Sequence, residues 1–451
     1  MNPAIFRAYD IRGDAARDLT DALAEGVGRA YGSLLRENGG RRIALGRDCR
    51  VHGPRLHAAL VRGLLATGVE IEDVGVVPTP LLYFAVFHRD LDGGIQITGS
   101  HNPAGDNGFK MMMGKNSLHG DGVQEIRRRI ESGVSDADGG LLVERPIEDD
   151  YVDYVAKNLS LGERPMRVVV DGGNGAGGPA ALRLLERLGV SVDPIYTDMD
   201  GTFPNHHPDP TVEENLVDLI ERVRATGADV GVAYDGDADR IGVVDEQGTI
   251  IWGDRLMILL SREVLREVPG AAIVSEVKCS RTLFEDIEAQ GGRPIMSQVG
   301  HSIIKERMKE EDALLGGEMS GHIFFRHRWF GFDDAVYATG RLLEILSRTD
   351  RSMSELLADV PTTHVTPEIR LDCPDSVKFG VVERAIAHYK ALHDVIDIDG
   401  ARVNFPTGWG LIRASNTQPV IVLRAEAESA EALVEIRGEL EGFVAAHATS
   451  R

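Results

Sequence analysis

The sequence predicts an α/β chain of three related domains with mixed sheets, followed by a smaller α+β domain. Three observations carry this. A strand, a polar turn, an amphipathic helix, a glycine and a second strand recur in that order three times. Strands that alternate with helices imply parallel or mixed sheets. Residues 361–451 abandon the rhythm for mostly β-rich runs.

The first unit runs from "RRIALGRDCR" through "LHAALVRGLLATGVEIEDVG". The second is "MRVVVDGGNGAGGPAALRLLERLGVSVDPIY" and the third is "AAIVSEVKCSRTLFEDIEAQGGRPIMSQVG". In each, an apolar strand precedes a helix with apolar residues at i, i+3 and i+4. Gly68, Gly189 or Gly291 then ends that helix, because glycine enters the left-handed conformation without strain. The recurrence is one of pattern and not of residue identity. The last region contains "TTHVTPEIRLDC", a helix around Val381 to Lys390, and two β-rich runs flanking "RASNTQP". Divisions near Glu148, Gln247 and Val360 give expected domains at 1–147, 148–246, 247–360 and 361–451.

Composition narrows the function classes. The chain is 43% hydrophobic and 27% charged, as soluble globular proteins are. No run of about 18 apolar residues suggests a membrane helix, and "MNPAIFRAYDIRGD" has no apolar stretch typical of a signal peptide. Cys49, Cys279 and Cys373 are too far apart in sequence for a disulfide framework or a zinc site, so a reduced cytoplasmic location is expected. A formal net charge of −22 disfavours nucleic acid and anionic membrane as partners. It disfavours anionic small substrates too, unless cations gather locally.

The stretch "TGSHNPAGDNGFK", Thr98 to Lys110, crowds turn-formers around a serine, a histidine and a lysine. Gly94 to Thr98 reads as a short strand, so Ser100 is expected on an exposed loop at a strand end. Taken alone, the stretch also fits an ordinary solvated turn. "DGGNGAGG" matches a dinucleotide-binding fingerprint through Gly173, Gly175 and Gly178, with Asp193 about 20 residues on. A tight strand-to-helix turn explains the same glycines.

"DGDADRIGVVDE", Asp235 to Glu246, imitates a calcium loop, but Arg240 stands where that loop needs glycine and the flanks read as strands. The metal reading survives. Asp235, Asp237 and Asp239 alternate within five residues and can converge hard oxygens on Mg²⁺. "GGEMSGH" offers Glu318, Ser320 and His322 in a glycine-flanked loop, and a carboxylate can accept from two adjacent sugar hydroxyls. "RASNTQP" sets Arg413 beside Ser415, Asn416 and Thr417, a donor set suited to phosphate. A hydroxyl nucleophile, a cation cluster, a diol loop and a phosphate loop together suit phosphoryl transfer, which needs alignment and charge neutralisation.

With "FRAYDIRG", these motifs occur in an order that resembles the α-D-phosphohexomutase superfamily, specifically its phosphomannomutase/phosphoglucomutase group. The resemblance covers the whole chain and implies four domains around a central cleft. It implies interconversion of hexose 1-phosphate and hexose 6-phosphate, mannose and glucose alike, with phosphoglucosamine mutase as the rival within the family. Ser100 would be phosphorylated in the resting enzyme and would join Asp235, Asp237 and Asp239 on Mg²⁺. Glucose 1,6-bisphosphate or mannose 1,6-bisphosphate would serve as activator.

Family placement gathers Arg12, Lys110, Arg240, His301 and His322 at the reacting site, with Lys110 and His322 as preferred proton carriers and His101 orienting the phosphoserine. Tyr9, Lys278, Glu318, Ser320 and His322 would touch the sugar. Arg413, Ser415, Asn416 and Thr417 would hold its phosphate. Partners would be free sugar phosphates, and the protein a monomer or weak dimer. One departure is Ala238, where many relatives have glycine; lying between ligands, it is expected to matter little.

Overall fold

The structure, a computed structural model, describes residues 1–415 and 419–448. Its strands form four sheets. The first three share one four-strand frame. In the first sheet, Arg42–Arg47 pairs in parallel with Glu70–Val76 on one side and Gly93–Ile97 on the other, and Asp106–Met113 runs antiparallel beyond. In the second, Arg167–Asp171 lies between Ser191–Ile195 and Val230–Tyr234, with Ile241–Asp245 antiparallel beyond. In the third, Ala272–Glu276 lies between Arg293–Ser297 and Leu315–Gly317, with Ile323–Phe325 beyond. The repeated sequence rhythm thus reports a repeated topology.

The predicted helix ends are in place. Gly68, Gly189 and Gly291 follow the helices Gly53–Leu65, Gly177–Arg187 and Arg281–Ala289, and all three have positive φ. The helix expected around Val381 to Lys390 begins earlier and spans Asp375–Lys390. The fourth sheet is wholly antiparallel, with Val420–Ala427 and Gly408–Ala414 at its centre.

One apolar core runs through the first three domains, joining Phe84, Tyr151, Trp329 and Tyr337. Trp329 and Tyr337 stack with ring centres 4.3 Å apart. The C-terminal domain keeps its own core around Tyr389, Ile412 and Leu423. It meets the third domain through a small apolar patch of Val277, Trp409 and Leu411. Arg402 lies over the Trp409 ring at 3.8 Å and donates to the Cys279 carbonyl at 2.9 Å.

The glycine-rich turn at Gly173–Gly178 serves packing. A Cβ at Gly175 would lie 2.8 Å from the Gly236 carbonyl, and one at Gly178 would lie 2.4 Å from the Thr197 carbonyl. Asp193 is committed to an ion pair with Arg222 at 2.7 Å. Of the described residues, no helix is long and apolar enough to cross a membrane.

Candidate functional site

The loops singled out in the first three domains occupy one equivalent position. Each joins the third strand of the frame to the antiparallel fourth: residues 98–105 with Ser100, 235–240 with the aspartates, and 318–322 with Glu318 and His322. They meet in space. Ser100 Oγ donates to Asp235 Oδ2 at 2.7 Å, and Arg240 forms a β-bridge with His322.

Ser100 is not exposed. It is 2% accessible, which corrects the expectation of a solvated loop. The cover comes from the second domain, where a Cβ at Gly236 would lie 2.4 Å from the Ser100 carbonyl. The loop is held from beneath by Arg50, which is fully buried. Its guanidinium donates to the carbonyls of Ser100, Asn102 and Pro103 at 2.6 Å each and of Asp106 at 2.9 Å. Asp48 completes the cradle, accepting from Thr98 Oγ1 at 2.7 Å and Gly99 N at 3.2 Å. This grip keeps Ser100 at φ +48°, a left-handed conformation that costs an L-residue about 1–2 kcal/mol. His101 Nδ1 lies 3.1 Å from Ser100 Oγ. Burial, and then Arg240 and Arg12, hold the His101 ring well below the usual histidine range, so it stays neutral beside the hydroxyl.

Asp235, Asp237 and Asp239 are fully buried, and one oxygen from each lies within 4.8 Å of the others. Burial, with repulsion from Asp237 and Asp239, pushes Asp235 well above the usual carboxylate range. Lys110 offsets part of this charge, lying 2.7 Å from Asp237 and pairing with Asp239. Asp237 Oδ2 also accepts from Thr79 Oγ1 at 2.5 Å. Asp237 Oδ1 and Asp239 Oδ1 are buried with no hydrogen-bond partner. Two orphaned hard oxygens in a set of three carboxylates fit a divalent cation, and Mg²⁺ in particular.

On the far side of this cluster, His322 Nε2 accepts from Arg240 Nε at 3.0 Å, which leaves the ring proton on Nδ1. That nitrogen faces the Asp239 carbonyl at 3.1 Å and Asp333 Oδ2 at 3.1 Å. His301 stacks on His322 with centroids 5.4 Å apart, and Tyr9 meets His301 edge-on. Arg12 donates to Asn102 Oδ1 at 2.9 Å and to Asp10 Oδ2 at 2.5 Å, so it braces the serine loop. Arg12, Lys110, Arg240 and His322 therefore border one acidic centre, although they come from three domains.

Glu318 Oε1 accepts from Gly300 N at 2.7 Å, and Ser320 is half-buried in the same turn. Lys278 is buried and lies 3.4 Å from Glu368. Arg413 Nη2 lies 3.0 Å from Asp399 Oδ2. Ser415, also buried, accepts from Lys378 Nζ through its carbonyl at 2.6 Å. Asn416 and Thr417 lie outside the described residues.

Several residues at the site were not found from sequence. Asp333 lies against His322 and Lys305; its signal was the Asp333–Asp334 doublet, buried between an aromatic run and a helix. Glu276 accepts from the backbone N–H of Lys278 at 2.6 Å and of Met319 at 3.3 Å, tying two candidate substrate loops together. The departure at Ala238 also carries more weight than expected, since Ala238 sits at φ +54°, in the region that favours glycine.

Four family profiles match in order. They are phosphoglucomutase/phosphomannomutase alpha/beta/alpha domain I over residues 3–136, domain II over 149–248, domain III over 252–364 and the C-terminal domain over 368–442. The chain is 46% identical over 435 residues to the phosphomannomutase/phosphoglucomutase of Pseudomonas aeruginosa, covering 96% of this chain and 94% of that protein. It is 45% identical over 445 residues to the phosphoglucomutase of Neisseria meningitidis, covering 98% and 96%. A crystal structure of a phosphoglucomutase/phosphomannomutase family protein from Burkholderia thailandensis superposes with a TM-score of 0.94 at 43% identity, covering 99% of this chain and 98% of that one. With matched domains spanning the chain and relatives this similar, the chain belongs to the phosphoglucomutase/phosphomannomutase family.

Proposed function

We propose that the protein interconverts hexose 1-phosphate and hexose 6-phosphate, in both mannose and glucose forms, through a phosphorylated Ser100 and a bound hexose 1,6-bisphosphate. One observation carries the reading most directly. The only serine in "TGSHNP" is buried with its Oγ 2.7 Å from a carboxylate of the aspartate cluster. A serine destined to carry a phosphoryl group needs a cation beside it, and here it meets a cation-binding set. Relatives of this similarity carry the names phosphomannomutase/phosphoglucomutase and phosphoglucomutase, which supports the choice of sugars.

Asp235, Asp237 and Asp239 would hold Mg²⁺, which when bound neutralises charge on the transferring phosphoryl group. The chain's own residues do the rest. Arg413 and Ser415, with Asn416 and Thr417, bind the phosphate already on the sugar. Glu318 and Ser320 accept and donate to its 3- and 4-hydroxyls, while Lys278 and Tyr9 border the ring. The 6-hydroxyl oxygen attacks phosphorus as the bond to Ser100 Oγ breaks. Its proton passes to His322 as base, while Lys110, paired as a cation with Asp237 and Asp239, supplies the proton that Ser100 Oγ takes up as it leaves. His101 orients Oγ. The bisphosphate then turns over in the cleft, its 1-phosphate returns to Ser100, and hexose 6-phosphate leaves. Recognition at C3 and C4 ignores C2, where glucose and mannose differ, so tolerance of both follows.

Traces of bisphosphate would recharge Ser100 whenever the intermediate escapes. Cys49, Cys279 and Cys373 are unpaired, which fits a reducing cytoplasm, and the reading needs no partner beyond free sugar phosphates. A phosphorus NMR time course tests the reaction. Protein, Mg²⁺ and a trace of glucose 1,6-bisphosphate, given glucose 1-phosphate and mannose 1-phosphate together, should convert both to 6-phosphates. Conversion of neither would overturn the proposal.

A further inference from the structure

A carboxylate pressed against a phosphate-binding arginine calls for a reason. Asp399 Oδ2 accepts from Arg413 Nη2 at 3.0 Å, and both side chains are largely buried. Its charge opposes any anion that approaches the guanidinium. The turn is laid flat on Arg413. Gly400 has φ +92°, and a Cβ there would lie 2.8 Å from Arg413 Cβ. Such closeness is a built contact.

The same oxygen, Asp399 Oδ2, also accepts from the backbone N–H of Val299 at 3.0 Å. Neighbouring groups of that segment are engaged as well. Gln298 Nε2 donates to the Ile398 carbonyl at 2.8 Å. The Val299 carbonyl accepts from Tyr9 Oη at 3.0 Å. Gly300 N donates to Glu318 Oε1 at 2.7 Å. Gly300 holds φ +137°, and a Cβ there would lie 2.7 Å from the Tyr9 ring, so the backbone itself lies against the tyrosine. Residues 298–300 thus connect the phosphate arginine of the C-terminal domain, the tyrosine of the first domain and the sugar carboxylate of the third.

We infer that Asp399 is a positioning residue that couples capture of the substrate phosphate at Arg413 to the placement of Glu318. It rests on the proposed roles of Arg413 and Glu318. In the substrate-free protein Asp399 holds Arg413 and Val299 together. Arriving phosphate competes with Asp399 for the guanidinium, and the carboxylate keeps the Val299 N–H. Phosphate affinity is lowered so that the sugar-binding carboxylate is aligned.

The test uses the full chain with Mg²⁺ and compares Asp399→Asn and Asp399→Ala with the unaltered protein. Calorimetric titration with inorganic phosphate needs no turnover. Both variants should bind it about tenfold more tightly, a typical size for coupling between sites. With glucose 1-phosphate, kcat should fall about tenfold with no rise in KM. Asparagine, which can still accept from Val299 N–H, should recover part of that loss. Combined with Glu318→Gln, the kcat loss should be smaller than the product of the single losses, because Asp399 acts through Glu318. Unchanged phosphate affinity would overturn the inference, as would losses that multiply. If the unaltered protein failed to interconvert hexose phosphates, the proposed reaction would fall, and the phosphate titration would still decide whether Asp399 competes with phosphate for Arg413.

Discussion

The proposed reacting half of the site, around Ser100, and its proposed recognising half, around Arg413, are built by different means. Around Ser100, buried charges interlock at short range. Asp235 is 2.7 Å from the serine, Lys110 is 2.7 Å from Asp237, and Arg50 grips four carbonyls under the loop. Behind them lies a core continuous through three domains. Around Arg413, polar contacts of 2.8 to 3.4 Å reach between separately cored domains, from Gln298 to Ile398, Val299 to Asp399 and Lys278 to Glu368. The difference teaches what each half must do. Phosphoryl transfer needs charges fixed before the reaction begins, whereas a sugar that binds in two orientations, as the proposed mechanism requires, needs a holder that can yield.

Breaking the reacting half should have the largest effect. Ser100→Ala should lower kcat by about 10⁴-fold or more while leaving the fold intact; steady-state turnover with thermal melting checks both. Arg50→Met should cost about 3–5 kcal/mol of stability, because it leaves Asp48 buried without its counter-charge and several buried carbonyls without that donor. Chemical denaturation measures this, and a loss below about 1 kcal/mol would show that the loop holds itself. In the recognising half, Arg413→Ala should raise KM for both hexose phosphates about 10- to 100-fold, with a smaller change in kcat, the mark of lost binding. Equal losses in kcat would erase the proposed contrast.

Two smaller effects sharpen it. His206 bonds to buried Asp171, at 3.0 Å, and to the His207 carbonyl, also at 3.0 Å. Burial lowers its pKa, but the Asp171 hydrogen bond and charge raise it above the ordinary value on balance. Its stabilisation is therefore full below about pH 6.5 and is lost as pH rises through the folded-state value. The Tm gap between the protein and its His206→Gln variant should be wide at pH 6 and narrow above pH 8. Ala238→Gly should stabilise by about 0.5–1 kcal/mol, since only the alanine is strained at positive φ. Unchanged Tm would mean that glycine's extra freedom when unfolded cancels the relief.

Much of this was legible in the sequence, for a physical reason. Cation ligands must converge, and Asp235, Asp237 and Asp239 do so within five residues, so their spacing announces them. The repeated helix ends were legible because few residues besides glycine serve there. Burial of Ser100 was not, because its cover comes from residues 135 positions away. Arg50 and Asp333 escaped notice because a charged residue beside an apolar run looks like surface until its distant partners are known. Asp399 was hidden further still, its meaning lying wholly in contacts with Val299 and Arg413.

The equivalent placement of three loops on one repeated four-strand frame has a consequence for descent. If an ancestral unit was copied twice, each copy inherited the same exit from the same pair of strands, already aimed at a common centre. Specialisation then required only that the short segment between those strands change. One copy could become the carrier, one the cation holder and one the sugar reader, with no new fold and no shift in strand register.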